Sequence, residues 1–324
     1  MKVLVVGLGV IGATYGYLFE KAGHQVEHYI RDSSSRTKLA ALDVDLLDGR
    51  KRKTSSHVQD LYHVQKQSQK AYDFIFVSLP EGKIREAIDY LQENQISGTI
   101  LLACGIWQDR HSLDELMKGR DYILGYPVAG GRISDKQLTA CVFDHFMLEE
   151  KNKAGISNYT DLEKLFSSCQ IQLEKPYDML EWIWLHMAIN AGVISTIAAH
   201  ADLKNPSQAA ENLMNSTRLL SQAVRAVRET IKMVKSRGVI LSHYHQDCLP
   251  YRLPIWLSAP LMKRMFAKNI LSRKIMTLHN NLPDLFFVCQ CLYDSGKRNT
   301  VLAPIFYQAY EEALQKTAVN KIEL

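Results

Sequence analysis

The tightest constraint on this chain lies in its first twelve residues. Lys2-Val3-Leu4-Val5-Val6 is a short β-branched run of the kind that fills a buried parallel strand, and it opens directly into Gly7-Leu8-Gly9-Val10-Ile11-Gly12-Ala13. A helical pattern follows through Tyr17, Leu18 and Ala22, and Gly23 stands where a helix-ending left-handed residue belongs. Strand, G-x-G-x-x-G and helix in that order give each glycine a physical task. Gly7 permits the tight turn, Gly9 lets the backbone approach a pyrophosphate, and Gly12 lets helix and strand pack closely. The first-turn amides at Val10, Ile11 and Gly12, with the positive end of the helix dipole, then suit a diphosphate. The expectation is a dinucleotide-binding turn; the alternative is a glycine turn that holds no ligand.

The rest of the first half alternates strand and helix. Gln25 to Ile30 reads as a second strand, with further strands expected at Phe74–Leu79, Thr99–Leu102 and Tyr122–Leu124. Helical segments at Gly82–Asn94 and Ser112–Lys118 separate them, and a strand around Ala140–Glu149 extends the sheet. This alternation implies a doubly wound parallel sheet. After about Pro176 the pattern becomes helical, first over Met179–His200 and then over one long stretch from Gln208 to Arg237. In the latter, Leu219, Leu220, Ala223, Val224, Val227, Ile231 and Val234 keep an apolar stripe, and Gly238 stops it. The fold class expected is α/β: an N-terminal Rossmann-type doubly wound parallel sheet over residues 1–175, followed by a mainly helical C-terminal domain over 176–324.

A chain of 324 residues, 47% hydrophobic and 23% charged, can bury two cores and is not a disordered composition. Its net charge of +5 is spread out, so no nucleic-acid partner is expected. The densest run, Arg50-Lys51-Arg52-Lys53, reads as a solvated loop. The apolar stretch Met187–Ala201 is interrupted by Asn190, Ser195, Thr196 and His200, which favours a buried helix over a membrane span. A strand beginning at the second residue leaves no room for a secretory signal. Six scattered cysteines, without metal-ligand spacing, suit a reducing cytoplasm. His243-x-His245 with Asp247 finds no third ligand at matching spacing, so no metal is expected and a surface loop is the reading.

The end of the second strand selects the cofactor. An acidic residue there suits the ribose 2′-hydroxyl of NAD, whereas an arginine suits the 2′-phosphate of NADP. The strand ends in Ile30-Arg31, with Ser33, Ser34, Ser35, Arg36 and Lys38 close behind, which favours NADP(H). Asp32 keeps NAD open.

With these residues in place, the chain resembles the ketopantoate reductase (2-dehydropantoate 2-reductase) family. The resemblance rests on the N-terminal glycine turn, Arg31, the helical second half, and the junction segment Glu181-Trp182-Ile183-Trp184-Leu185-His186-Met187-Ala188-Ile189-Asn190. That segment is similar to the family's Trp-x-Lys-Leu-x-x-Asn helix. The resemblance implies an NADP(H)-dependent reductase whose junction lysine protonates a ketone oxygen and whose asparagine contacts substrate in a cleft between the domains. Matching Trp184 and Asn190 puts His186 in the lysine's place. It also implies cofactor contacts from Leu79, Cys104 and Gly105. The family's asparagine-glycine pair after the fifth strand falls on Cys104-Gly105, its lysine after the fourth strand near Pro80, and its late glutamate nearest Asn280, with Asp284 close by. These departures count against ketopantoate itself as substrate.

Histidine can donate a proton at neutral pH, so the catalytic candidates are His186 and Asn190; a space-filling helix histidine is the alternative. Gly130-Gly131-Arg132 reads either as a turn or as a carboxylate site. The expected activity is hydride transfer between nicotinamide and a small 2-oxo or 2-hydroxy acid. A reductase of another carbonyl substrate and a non-catalytic NADP(H) sensor are the alternatives. A small-molecule partner, no membrane and an assembly compatible with a homodimer complete the expectations.

Overall fold

The computed structural model describes residues 1–51, 55–278 and 281–319, and the chain divides into two units, Met1–Leu180 and Glu181–Leu324. The division falls a few residues beyond the change of character at Pro176. The first unit runs β1 (Lys2–Val6), α1 (Val10–Lys21), β2 (Gln25–Tyr29), β3 (Ala41–Asp48), β4 (Ser56–His63), β5 (Ala71–Val77), α2 (Glu81–Glu93), β6 (Ser97–Ala103), α3 (Arg110–Met117), β7 (Tyr122–Ser134), β8 (Gln137–Leu148), α4 (Tyr159–Ser168) and β9 (Gln172–Glu174). Among the described residues, all nine strands form one sheet in the order β2-β1-β5-β6-β7-β8-β3-β4, with β9 beside β8. The strands from β2 to β7 are parallel, as the strand–helix alternation requires. Two antiparallel pairs, β7 with β8 and β3 with β4, extend that parallel core.

Alternation sorts the faces. Val3, Val5, Phe74 and Phe76 enter one core with α1, while Leu4, Val6, Ile75 and Val77, also buried, point to the opposite face. α1 is buried without a break from Gly12 to Phe19, which a helix lying on an open sheet cannot be. The reason is that the sheet curls around it. β2 and β4 stand at opposite ends of the strand order, yet Tyr62 of β4 meets His28 of β2 at 2.6 Å. Just beyond β4, Gln65 O accepts the His28 amide at 2.7 Å and the Gln67 amide donates to His28 O at 2.9 Å. Tyr17 donates to Asp60 at 3.0 Å, and Lys21 pairs with the same carboxylate at 2.7 Å, fixing α1 to β4.

The hairpin β3–β4 is absent from the sequence reading. Gly130-Gly131-Arg132 is not a turn: it lies inside β7, paired with β8. A Cβ on Gly131 would stand 2.4 Å from Thr139 O, so glycine is what lets the two backbones approach. Arg50, expected in solvent, holds Asp48 through two nitrogens and donates to Cys169 O at 2.7 Å.

The second unit is helical: α5 (Met179–His200, beginning just inside the first unit), α6 (Pro206–Asn215), α7 (Thr217–Ser236), α8 (His245–Arg252), α9 (Ile255–Lys268), α10 (Ile270–Leu278), α11 (Leu282–Arg298) and α12 (Pro304–Val319). The single helix expected from Gln208 to Arg237 is two, because the Ser216 side chain accepts the Leu219 amide and starts α7 afresh. α5 is long and apolar enough to cross a membrane, which the interrupted stretch Met187–Ala201 does not suggest; 61% of its most apolar window is buried inside the protein. It crosses α7 closely, since a Cβ on Gly192 would lie 2.6 Å from Val227 N. At the same crossing Thr230 donates to Ala188 O at 2.7 Å. The buried Glu229 carboxylate of α7 accepts the Phe306 amide at 2.8 Å, satisfying an orphan donor at the start of α12.

Candidate functional site

The glycine turn has the geometry its sequence implies. Gly7 adopts φ +96°, a region closed to most side chains. Its amide donates to Tyr29 O at 2.7 Å. A Cβ on Gly12 would meet Val5 Cγ1 at 3.0 Å and Gly7 O at 3.3 Å, so this glycine serves the packing of helix on strand. Gly9 is different: a Cβ there would have nothing within 4 Å. It caps α1 without a side-chain hydrogen bond, and the intrahelical ladder starts only with the Ala13 amide on Gly9 O. The amides of Val10, Ile11 and Gly12 are therefore the orphan donors of an uncapped helix start, beside open space. This is the arrangement a diphosphate fits, and these are the residues that would hold it.

Neighbouring strand ends complete the rim. β1, β5 and β6 are adjacent and parallel, so Gly7, Leu79 and Cys104-Gly105 follow three strand ends on the same edge. Leu79 packs on the turn, 3.2 Å from where a Gly7 Cβ would be. Cys104 is buried, and burial pushes its thiol up to about 12, with a smaller opposing hydrogen bond from the Leu79 backbone. It is a packing thiol and not a thiolate. Glu81, in the first turn of α2, accepts the Trp107 amide at 2.7 Å and the Gln108 amide at 3.2 Å, tying the loop after β6 to α2.

At the end of β2, Arg31 makes a two-pronged ion pair with Glu86 of α2, at 2.9 and 3.0 Å. Tyr29 stacks on Tyr90 at 3.7 Å, which holds α2 against this strand end. Arg36 folds back and donates to Leu8 O at 2.9 Å, placing a guanidinium directly on the glycine turn. Asp32 is exposed.

His186 lies one helical turn after Trp182, and the two rings stack at 4.9 Å with planes 15° apart. The Trp182 indole donates to Asp247 at 3.2 Å. Trp184 lies under the Arg237 guanidinium, at 3.8 Å. His186 and Asn190 are both half-buried and, four residues apart, share a face of α5. Asn280 lies outside the described residues. Asp284, in the first turn of α11, accepts from Asn281. Among the described residues no group of three or more His, Cys, Asp or Glu could hold a metal. Asp247 is taken up by Trp182, and His245 opens α8 where a loop is expected.

Residues 3–105 match the family model described as "Ketopantoate reductase PanE/ApbA". That stretch is similar to the ketopantoate reductase family's N-terminal domain. The match spans β1 through the loop after β6, including the glycine turn, Arg31, Leu79 and Cys104-Gly105. Among curated proteins, none matches the chain. Among solved structures, the 2-dehydropantoate 2-reductase from Geobacter metallireducens GS-15 is 15% identical, covering 97% of this chain and 99% of its own, with a TM-score of 0.66. D-mandelate dehydrogenase in ternary complex with NADH and anilino(oxo)acetate is 13% identical, with full coverage of both chains and a TM-score of 0.70. The dimeric ketopantoate reductase from Staphylococcus aureus is 10% identical, covering 98% and 99%, with a TM-score of 0.63. At these identities the likeness establishes that the ketopantoate reductase fold extends through both units.

Sequence reasoning missed His28, Tyr62 and Glu86. Only His28 left a signal: it shares a face with Val26 in the short strand Gln25–Tyr29.

Proposed function

We propose that this chain is an NADP(H)-dependent oxidoreductase that passes hydride between a nicotinamide and a small 2-oxo or 2-hydroxy acid. The observation that carries the reading is Gly9, a helix-starting glycine that no contact within the protein requires, set beside three orphan amides. When bound, the nicotinamide supplies the hydride chemistry. The protein's part is to hold the diphosphate on the amides of Val10, Ile11 and Gly12, with Arg36 adding positive charge at the turn. Arg31 supports the 2′-phosphate once it exchanges Glu86 for that ligand. His186 supplies the proton to the carbonyl oxygen, its ring held by stacking on Trp182. Asn190 orients the substrate.

A second cofactor reading has its own support. Arg31 is already engaged by Glu86, Asp32 stands free of that pair at the strand end, and the D-mandelate dehydrogenase neighbour carries NADH. Calorimetric titration with NADPH and NADH separates the two. Turnover against a panel of 2-oxo acids, including ketopantoate and the 2-oxo counterpart of mandelate, then tests the chemistry. Cofactor binding without turnover of any acid supports a non-catalytic NADP(H)-binding protein instead. We place the protein in the cytoplasm, where its six free thiols, five of them buried, would stay reduced. A homodimer is the assembly suggested by the dimeric Staphylococcus aureus neighbour.

A further inference from the structure

Beneath the glycine turn lies a buried polar pair that the proposed chemistry does not use. His28 is 1% exposed. Its Nδ1 lies 3.0 Å from Gly7 O, and its Nε2 lies 2.6 Å from the Tyr62 hydroxyl. The proton positions follow from the partners. A carbonyl oxygen can only accept, so Nδ1 carries the hydrogen; a neutral imidazole has one N–H, so Nε2 is a lone pair and Tyr62 donates to it. Burial keeps the ring neutral, lowering its pKa to about 4. The hydrogen bonds thus run in one direction, from Tyr62 through the ring to the first carbonyl of the turn.

Three further facts fix this arrangement. The Gly7 amide is bound by Tyr29 O, so β2 grips both backbone groups of Gly7 with consecutive residues. The His28 backbone is itself held by Gln65 and Gln67 on its other side. Gly16 of α1 leaves the space the pair occupies: a Cβ there would lie 2.6 Å from the Tyr62 oxygen and 2.9 Å from His28 Nε2.

We propose that His28 is a positioning residue for the dinucleotide, and that Tyr62 selects the ring tautomer by which His28 orients the Gly7–Leu8 peptide. This rests on the dinucleotide reading above. Rotation of that peptide moves the Leu8 and Gly9 backbone that borders the diphosphate, so the pair acts on the part of the ligand that NADPH and NADH share. Its loss weakens both cofactors, and ADP-ribose, by the same factor.

The test compares three variants by calorimetric titration with NADPH, NADH and ADP-ribose, alongside thermal melts. In His28→Asn the side-chain amide can stand where Nδ1 does and still donate to Gly7 O, but the variant leaves a void. His28→Leu fills more of the space and has no donor. Tyr62→Phe keeps the ring and frees the tautomer. The expected result is that affinity falls about tenfold for all three ligands in His28→Leu and several-fold in Tyr62→Phe, as the loss of one hydrogen bond implies. His28→Asn stays within about twofold to threefold of the parent, although its melting temperature drops at least as far as that of His28→Leu. A packing role predicts instead that affinity follows melting temperature. If His28→Leu does not fold, Gly16→Ala wedges the pair apart without removing either group, and the same uniform loss is expected. Parent protein that binds no ligand overturns the dinucleotide reading and this inference with it. Parent protein that binds, with Tyr62→Phe and Gly16→Ala of equal affinity to it, overturns this inference alone.

Discussion

The glycine turn at residues 7–12 and the opening turns of α5 are two ways of making a polar site. In the turn the working groups are main-chain amides, and the side chains matter by their absence: Gly9 faces open space and Gly12 touches Val5. At α5 the proposed working groups are side chains, His186 and Asn190, and the setting of such a group depends on what touches it, as the His186 ring lies against Trp182 and the Trp182 indole donates to Asp247. A main-chain site tolerates any sequence that keeps the glycines and the strand–helix geometry. A side-chain site changes its chemistry with each exchange. The family model accordingly matches the stretch that holds Gly7, Gly9 and Gly12 and stops well short of α5.

Gly9→Val breaks the comparison most sharply. A β-branched side chain would fill the space before the amides, and binding of NADPH and NADH should fall by roughly 100-fold or more, as the loss of several hydrogen bonds to a charged group implies. The melting temperature should drop only a few degrees, because the added Cβ meets no neighbour within 4 Å. Gly12→Val, driven into Val5, should lower it substantially. Parallel melting behaviour in the two variants would make the turn purely structural.

At α5, His186→Asn should reduce turnover by about 10²–10⁴-fold, the range for a lost general acid, with little change in cofactor affinity. Parent turnover should decline as the pH rises, since only the protonated ring can donate. Unchanged rates with an altered melting temperature would make His186 a packing residue.

Acid stability reports on His28. Burial, opposed in part by the hydrogen bond to Gly7, lowers the His28 pKa to about 4 from 6.5. Between those values the unfolded chain takes up the proton and the folded chain does not. Stability should therefore fall as the pH drops from about 6.5 toward 4, by an amount on the order of 3 kcal/mol once complete. The slope of stability against pH over that window should be shallower in His28→Leu. An identical slope would mean that the ring is hydrated in solution.

The smallest effects are at Arg31. Arg31→Ala should weaken NADPH relative to NADH by about 1.5–3 kcal/mol, the value of a charge-assisted hydrogen bond. Glu86→Gln should shift the balance the other way, but by no more than about 1 kcal/mol, because the pair it removes is exposed to solvent. Equal losses for both cofactors in Arg31→Ala would favour the NAD reading through Asp32.

What could be read from the sequence was what is local. β1, α1 and Gly23 follow from a continuous apolar run, a helical stripe and a left-handed stop within about twenty residues, and the structure reproduces them almost to the residue. The hairpin β3–β4 escaped because β4 is an end strand of Ser-His-Val-Gln-Asp-Leu-Tyr-His, in which only Tyr62 is fully buried. Gln208–Arg237 looked continuous because a serine cap interrupts a helical stripe without breaking its period. In the candidate site, the glycines were visible because their roles are set by adjacent residues. The partners of Arg31, Trp182, Trp184 and His28 lie 55, 65, 53 and 34 positions away, and no periodicity reports a contact at that range.

The bridge between residues 65–67 and β2 has a consequence for solubility. β2 ends the strand order, and a terminal strand offers its unpaired amides and carbonyls to any passing chain, the usual beginning of edge-to-edge aggregation. Here the amide and the carbonyl of His28, in the second half of that short strand, are already occupied by Gln65 and Gln67. A strand from another molecule cannot pair with His28 without displacing them. Three polar residues after β4 thus guard an edge that five strands of parallel sheet would otherwise leave open.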